Sequence, residues 1–256
     1  MAPINQPANG HVVMSVENIV KSFGNVHAVR GISFDVKQGE ILGVIGPNGC
    51  GKSTLFNCIL GQLRPDQGKV TLNDRDVSGW LPSRLAKQGL GRTFQLLQVF
   101  PSMTVRANLL TAAQAHKGTV LSRLFMAPDL GLMPVVDEMI AAFRLGHLAD
   151  EEAGNLSYGQ QKLLDIAMAL MGNPTIAFLD EPAGGVNLSM LEDVKQRLVE
   201  LNRQQQTTLV VIEHNMEFIF AVADRILVLV EGQVLISGTP EEIRRDPKVI
   251  EAYLGG

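Results

Sequence analysis

The chain has 256 residues, 46% of them hydrophobic, and a formal net charge of −4. That length suits one large domain or two small lobes with a substantial core. The mildly acidic balance argues against a nucleic-acid-coating surface, and no apolar run approaches the roughly 20 residues a membrane span needs. Residues 1–12 contain Pro, Asn and Gln but no basic start or long apolar core, so they read as a disordered lead-in and not as a signal peptide. Residues 13–20 and 32–36 alternate apolar and polar side chains, which predicts two antiparallel strands with one solvated face. Between them lies Lys21-Ser22-Phe23-Gly24. An aromatic there could stack on a purine, although a lone Phe is more often core.

The most informative stretch follows. Residues 40–45 form a short apolar run that reads as a buried parallel strand. Residues 55–60 carry apolar side chains at helical spacing and stop at Gly61. Between them stands Gly46-Pro47-Asn48-Gly49-Cys50-Gly51-Lys52-Ser53-Thr54. Strand, glycine-rich loop and helix in this order are what a phosphate-binding loop requires. Glycines let successive N–H groups point inward, and the helix start adds its positive dipole end. Lys52 supplies a mobile positive charge, and the Ser53 hydroxyl is placed to ligate Mg²⁺. The only two cysteines, Cys50 and Cys58, would point to different sides. A disulfide is not expected, a reducing compartment fits, and no Cys or His cluster points to zinc. The expectation is a soluble, cytoplasmic protein unless something else holds it at a membrane.

Residues 67–74 predict a strand entering a hairpin. Gly91-Arg92-Thr93-Phe94-Gln95 follows, and a Gln at a strand end can reach a metal or an attacking water or simply lie on the surface. From residue 96 to 153 Met and Ala rise and helical periodicity dominates, which predicts a helical subdomain inserted into an α/β core. One helix starts near Met103. Another spans 135–145, with Val135, Met139 and Phe143 on one stripe. Residues 115–134 are irregular.

In Asn155-Leu156-Ser157-Tyr158-Gly159-Gln160-Gln161, Ser157 and Gln160 form an S-x-x-Q capping box, with Leu163, Leu164, Ala167, Leu170 and Met171 facing inward. Such a helix start offers a hydroxyl and free N–H groups to an anion, or is an ordinary cap. Residues 175–182 form a buried strand ending in Asp180 and Glu181. Carboxylates there cost free energy unless they bind a cation or do proton chemistry. Asp180 would reach Mg²⁺ or its water, and Glu181 would poise a water for attack. After the tight loop 183–187, Ser189 and Glu192 predict another capping box, with Leu191, Val194, Leu198 and Leu201 on one face. Residues 209–214 form a further buried strand ending in His214, at the edge where α/β ligand sites gather. A lone His also has an ordinary structural reading. Residues 225–237 read as a hairpin, and Thr239-Pro240-Glu241-Glu242 opens a helix.

In this order the elements resemble the nucleotide-binding subunit of an ATP-binding cassette transporter, almost throughout from residue 13. The most specific mark is Leu156-Ser157-Tyr158-Gly159-Gln160 shortly before Leu179-Asp180-Glu181-Pro182. The resemblance implies an α/β fold: a P-loop NTPase core (13–95 and 173–256), an N-terminal antiparallel β subdomain, and an inserted α-helical subdomain (96–172). It implies ATP and Mg²⁺ as cofactors. Phe23 would stack on adenine, and Gly46 to Thr54 would be the Walker A loop. Gln95 would touch Mg²⁺ or water and sense the helical subdomain. Ser157, Tyr158, Gly159 and Gln160 would grip the γ-phosphate of ATP held by another subunit. Asp180 and Glu181 would be the Walker B acid and the general base, and His214 the switch histidine on the γ-phosphate.

Three positions depart from the usual pattern: Tyr158 where Gly is usual, Asn187 and Asn215 where Asp is commoner. With Pro182-Ala183-Gly184-Gly185-Val186-Asn187, Glu213-His214-Asn215-Met216 and the terminal Tyr253-Leu254-Gly255, they look like the LivG-type subunits of branched-chain amino-acid importers. Relatives that carry urea, amides or aromatic acids share these marks, and the cargo would not touch this subunit. Implied partners are membrane permease subunits, a second cassette as homodimer or heterodimer, and an external substrate-binding protein, with no nucleic acid. The implied place is the cytoplasmic face of the cell membrane. Rival readings are a cassette acting on ribosomes or DNA, another transporter such as a lipopolysaccharide extractor, or a binding module without catalysis. One compact cassette, no fused membrane domain, and both acids present argue against them in turn. The apolar Leu97, Val99, Phe100 and Met103 near Gln95 mark a candidate permease-docking stretch.

Overall fold

The computed structural model describes residues 10–93, 98–115 and 130–254. Gln95, Leu96 and Leu97, most of the lead-in, and residues 116–129 of the irregular stretch lie outside the described residues. Two sheets organise the rest. The first has the order β2-β1-β4-β5. Its strands β1 (Val12–Phe23) and β2 (Val26–Lys37) are longer than the alternation predicts. Pairing continues through Ser22 with His27 and Phe23 with Val26, so Lys21, Ser22 and Phe23 belong to the hairpin and not to a connecting loop. Cross-strand bonding carries the ladder past the point where alternation fades. Strand β4 (Gln67–Leu72) turns into β5 (Arg75–Asp76) through Asn73 and Asp74, both at positive φ, the backbone a tight hairpin demands.

The second sheet has six strands: β3 (Ile41–Ile45), β6 (Leu90–Arg92), β7 (Ile176–Asp180), β8 (Thr208–Ile212), β9 (Arg225–Val230) and β10 (Gln233–Gly238), in the order β10-β9-β3-β8-β7-β6. All neighbours are parallel except β10, which returns antiparallel to β9. Every residue of β3, β7 and β8 is buried. Strands covered on both faces need no polar side, which is why they read as continuous apolar runs. Parallel alignment also gathers their C-terminal ends on one edge. Gly46, Thr93, Glu181 and Glu213 each follow directly from a strand there.

Helix α1 (Lys52–Ile59) lies in the core shared by the two sheets, with Phe56 edge-on to Phe178 at 4.9 Å between ring centroids. A short helix α2 (Pro82–Ala86) precedes β6. Helices α3 (Val105–Ala115), α4 (Met133–Ala142) and α5 (Tyr158–Leu170) share the apolar cluster on the other face of the large sheet. Helix α4 starts earlier than periodicity predicts, with Pro134 in its first turn. Its buried stripe is Val136, Met139, Ile140 and Phe143, whereas Val135 is exposed. Both valines fit a helical stripe through Met139, and packing selects Val136.

Helix α5 begins as read. The Ser157 side chain accepts from Gln160, whose own side chain returns the bond, and the five predicted inward residues are buried. Helix α6 (Leu188–Gln205) corrects the expected cap: it starts before Ser189, and the Asn187 side chain accepts from Met190 N at 2.9 Å. Helix α7 (Met216–Val222) is likewise capped by Asn215, 3.0 Å from Phe218 N. The amide oxygen does what the commoner Asp would do at both caps. Helices α8 (Pro240–Arg245), with its Thr239–Glu242 capping box, and α9 (Pro247–Leu254) complete the described chain.

Helix α5 is tied to the segment after Gln95 by Asp165, whose Oδ1 accepts from Gln98 N at 3.1 Å. The carboxyl is buried and its Oδ2 has no hydrogen-bond partner. Burial pushes its pKa up from 3.8 to about 6. A carboxyl raised in the folded state leaves stability intact below the unfolded pKa and lowers it as pH rises through the folded one. The penalty is on the order of 3 kcal/mol at most above pH 6. Asp165→Asn keeps the acceptor without the charge. Its stability relative to wild type, from urea midpoints, should therefore rise between pH 4 and pH 7. A difference constant across that range would refute the account.

Candidate functional site

The loop after β3 is backed by protein on its inner side. A Cβ on Gly46 would stand 2.1 Å from Leu229 O and 2.6 Å from Cys50 Sγ, so β9 admits only glycine there. The turn after β9 closes on the loop through Gly232 N to Cys50 O at 3.0 Å, and β2 braces that turn through Arg30 N to Gly232 O at 2.7 Å. Lys52 is buried, and its Nζ donates to Gly46 O at 2.6 Å and Pro47 O at 3.0 Å. Helix α1 opens with no side-chain cap and no acid in its first turn. Uncapped N–H groups at a helix start form an anion seat. Ser53 is exposed beside it, as are Asn48 and Gly49, with Pro47, Gly51 and Thr54 half-buried. Cys50 and Cys58 are both free and buried, as expected, and burial pushes the Cys58 thiol up to about 11.

The acids stand on the same edge. Asp180 ends β7, and its N–H donates to Thr93 Oγ1 at 3.0 Å. Burial raises its pKa, while Arg92, 3.9 Å from Oδ2, works in the opposite direction. Arg92 also donates to Asn57 Oδ1 at 3.1 Å, so one guanidinium joins β6, β7 and α1. Glu181 adopts a left-handed backbone, φ 48, which is uncommon for a residue with a Cβ and costs on the order of 1 kcal/mol. Its N–H is held by Ile212 O at 3.0 Å. Its carboxylate is about one-third exposed and lies 3.6 Å from His214 Nδ1.

Glu213 is fully buried beneath this pair. Its Oε1 accepts from Ala183 N at 2.7 Å, and its Oε2 accepts from His214 N and Asn215 N, each at 3.0 Å. Burial raises its pKa, and those three N–H groups favour the ionised form. Lys162, 1% exposed on α5, carries its charge within the field of Asp165, Asp180, Glu213 and Glu181. Burial lowers its pKa and those acids raise it. The sequence alone assigns no role to Arg92, Glu213 or Lys162. The one available signal was a charge placed at the end of, or among, apolar residues.

The other predicted residues lie apart. No hydrogen bond or ion pair among the described residues joins 157–160 to 46–54. The Ser157 hydroxyl and the Gln160 side chain bond each other, and the Tyr158 ring covers Gly185, where an added Cβ would approach Cε1 to 2.6 Å. Gly159 lies against Met190. Phe23 is half exposed on β1, with Lys21 Nζ 5.6 Å from its ring centroid. The structure thus gathers the loop with Lys52, Asp180, Glu181 and His214. It leaves Phe23 and residues 157–160 at the surface, and Gln95 lies outside the described residues. The gathered groups can seat a phosphate chain beside a proton acceptor.

Residues 29–184 match the family described as ABC transporter, and residues 233–256 match the family described as branched-chain amino acid ATP-binding cassette transporter. The chain is 36% identical over 249 residues to the high-affinity branched-chain amino acid transport ATP-binding protein BraF of Pseudomonas aeruginosa, covering 95% of this chain and 98% of that protein. It is 39% identical over 249 residues to the corresponding protein LivG of Salmonella typhimurium, with the same coverage. In three dimensions it is similar to the ADP conformation of an ATP-binding cassette of an ABC transporter, with TM-score 0.86 and 35% identity, covering 96% of this chain and 100% of that one.

Proposed function

The chain belongs to the ATP-binding cassette transporter family, and from that premise we propose that it is the ATP-hydrolysing subunit that drives an importer of branched-chain amino acids. The observation that carries the catalytic part is the shared sheet edge, where the loop bearing Lys52 meets Asp180, Glu181 and His214. The cargo rests on the C-terminal match and on what the relatives transport.

Loop N–H groups, the α1 start and Lys52 hold the phosphates of ATP. Glu181 orients and deprotonates the attacking water, and His214 beside it contacts the γ-phosphate. An exposed Ser53 hydroxyl and a buried Asp180 carboxylate suit a hard cation that keeps several waters, so Ser53 and Asp180, with Gln95, would hold Mg²⁺. Bound Mg²⁺ neutralises charge on the phosphates. Phe23 stacks on adenine.

The α5 start has Ser157 and Tyr158 exposed and Gly159 and Gln160 half-buried, and among the described residues it makes no bond to its own loop. It therefore serves the ATP of a second cassette, in a homodimer or a heterodimer. No helix among the described residues is long and apolar enough to cross a membrane. Closure must then pass by contact to permease subunits at the cytoplasmic face, with a substrate-binding protein on the far side. Phe100 is the contact we assign. Phe100 is 47% exposed, while the buried Asn108 side chain clamps its backbone, accepting from Phe100 N at 2.7 Å and donating to Phe100 O at 3.1 Å. A rigidly held, exposed aromatic docks with little loss of conformational freedom.

Glu181→Gln should bind ATP yet turn over at least about 100-fold more slowly, because the amide keeps the shape and cannot take the proton. Size-exclusion chromatography with ATP, including the partner cassette if the pair is mixed, should show an ATP-loaded dimer. Normal turnover would remove Glu181 as the base. Phe100→Asp should leave the ATPase activity of the isolated subunit within about twofold of wild type but abolish recovery with the permease and transport. Pull-down and ATPase assays on the same variant decide it, and normal permease binding would end the docking assignment.

A further inference from the structure

We propose that Glu213 is a positioning residue for hydrolysis, whose carboxylate ties the turn that carries Glu181 to the loop that carries His214. The inference rests on the ATPase reading and deepens it. Glu213 is fully buried beneath these loops and acts through its neighbours.

The sheet stops pairing just before the groups that do the chemistry. Strands β7 and β8 stay in register as far as Asp180 and Ile212, and Glu181 N then donates to Ile212 O at 3.0 Å. Beyond that point each strand gives way to a loop. Residues 181–184 form a turn closed by Gly184 N on Glu181 O at 3.0 Å. Inside this turn Ala183 N donates to Glu213 Oε1 at 2.7 Å. The other oxygen, Oε2, accepts from His214 N and Asn215 N, each at 3.0 Å. Among the described residues, no other hydrogen bond joins 182–187 to 213–215. The His214 ring is near both acids, with Nδ1 3.6 Å from Glu181 Oε1 and 4.0 Å from Glu213 Oε2.

The bridge calls for a carboxylate. Three N–H groups converge on its two oxygens, and a carboxylate accepts on both, whereas an amide accepts on one and turns an NH2 group toward the other side. An isosteric Gln therefore keeps one loop and releases the other. A buried N–H left without an acceptor is costly, and a loop that shifts relieves the cost. The turn is the part most ready to shift, because Glu181 holds φ 48, a backbone that persists only where its surroundings over-determine it. Glu213 is itself anchored, with its N–H on Val44 O at 3.3 Å, on the strand that leads into the phosphate loop. One buried side chain thus sets base and histidine against each other and, through its backbone, against β3.

The test uses the full chain, with its partner cassette where the pair is mixed. It compares wild type with Glu213→Gln and Glu213→Asp, each alone and combined with Glu181→Gln. Asp keeps the charge but is a methylene too short to span both loops. Phosphate release from ATP, binding of a fluorescent ATP analogue and thermal melting are measured on each. Both single variants should lower kcat by about tenfold or more, with KM and analogue affinity within about twofold of wild type. In the Glu181→Gln background the same changes should cost less than about threefold, because alignment of the base matters only while the base is present. Wild-type kcat in either folded variant overturns the inference. So does a loss expressed in KM, or an equal loss with and without Glu181. If one variant does not fold, the other decides by the same criteria. Failure of both to fold overturns the positioning role, since Glu213 then serves the fold. Hydrolysis by wild type, slowed by Glu181→Gln in the same assay, separates failure of this inference from failure of the ATPase reading.

Discussion

The structure depends on a backbone that must curl tightly while pressed against other strands. Gly46 sits so close to Leu229 O that no side chain can be accommodated. The β9–β10 turn and β2 then fix the loop from behind through Gly232 and Arg30. With its back supported, the loop presents N–H groups and the uncapped start of α1 in one direction. Lys52, bonded to the loop's own carbonyls, stands with them. Preorganisation of this kind is what phosphoryl transfer asks of a protein, since most of its catalysis is positioning and charge stabilisation.

A second constraint follows from the parallel sheet. Strands buried on both faces deliver their C-terminal ends to one edge, and the residues that emerge there include several carboxylates. Arg92, Lys162 and the N–H groups around Glu213 balance that negative charge without taking the place of Glu181, which stays partly exposed beside His214. Glu213 also fixes the loops that carry Ala183, His214 and Asn215. The backbone of His214, beside Glu181, is thus held by a buried acid.

Much of this was legible in the sequence because it is local. The glycine-rich loop between strand and helix, the Ser157 and Thr239 capping boxes, and the apolar runs of β3, β7 and β8 all follow from spacing and residue type. The rest depended on packing. Val135 and Val136 fit the same helical stripe, and only the neighbouring helices choose between them. Asn187 and Ser189 are both acceptable caps, and the longer helix selected the earlier one. Phe23 lies in a strand because pairing with β2 continues beyond the alternation that marks it. Arg92, Glu213 and Lys162 acquire meaning only when distant segments meet, and no spacing rule connects Arg92 with Asp180 or Lys162 with Glu213.

The central claim is that the loop from Gly46 to Thr54 is where ATP binds and that Lys52 supplies charge to its outer phosphates. Isothermal titration of ATP with Mg²⁺ into wild type and Lys52→Ala, with melting curves on both, tests it directly. Affinity should fall by at least about tenfold in the variant with an unchanged fold, since a charge-assisted bond to phosphate is lost. Equal ATP affinity in a folded Lys52→Ala protein would contradict it.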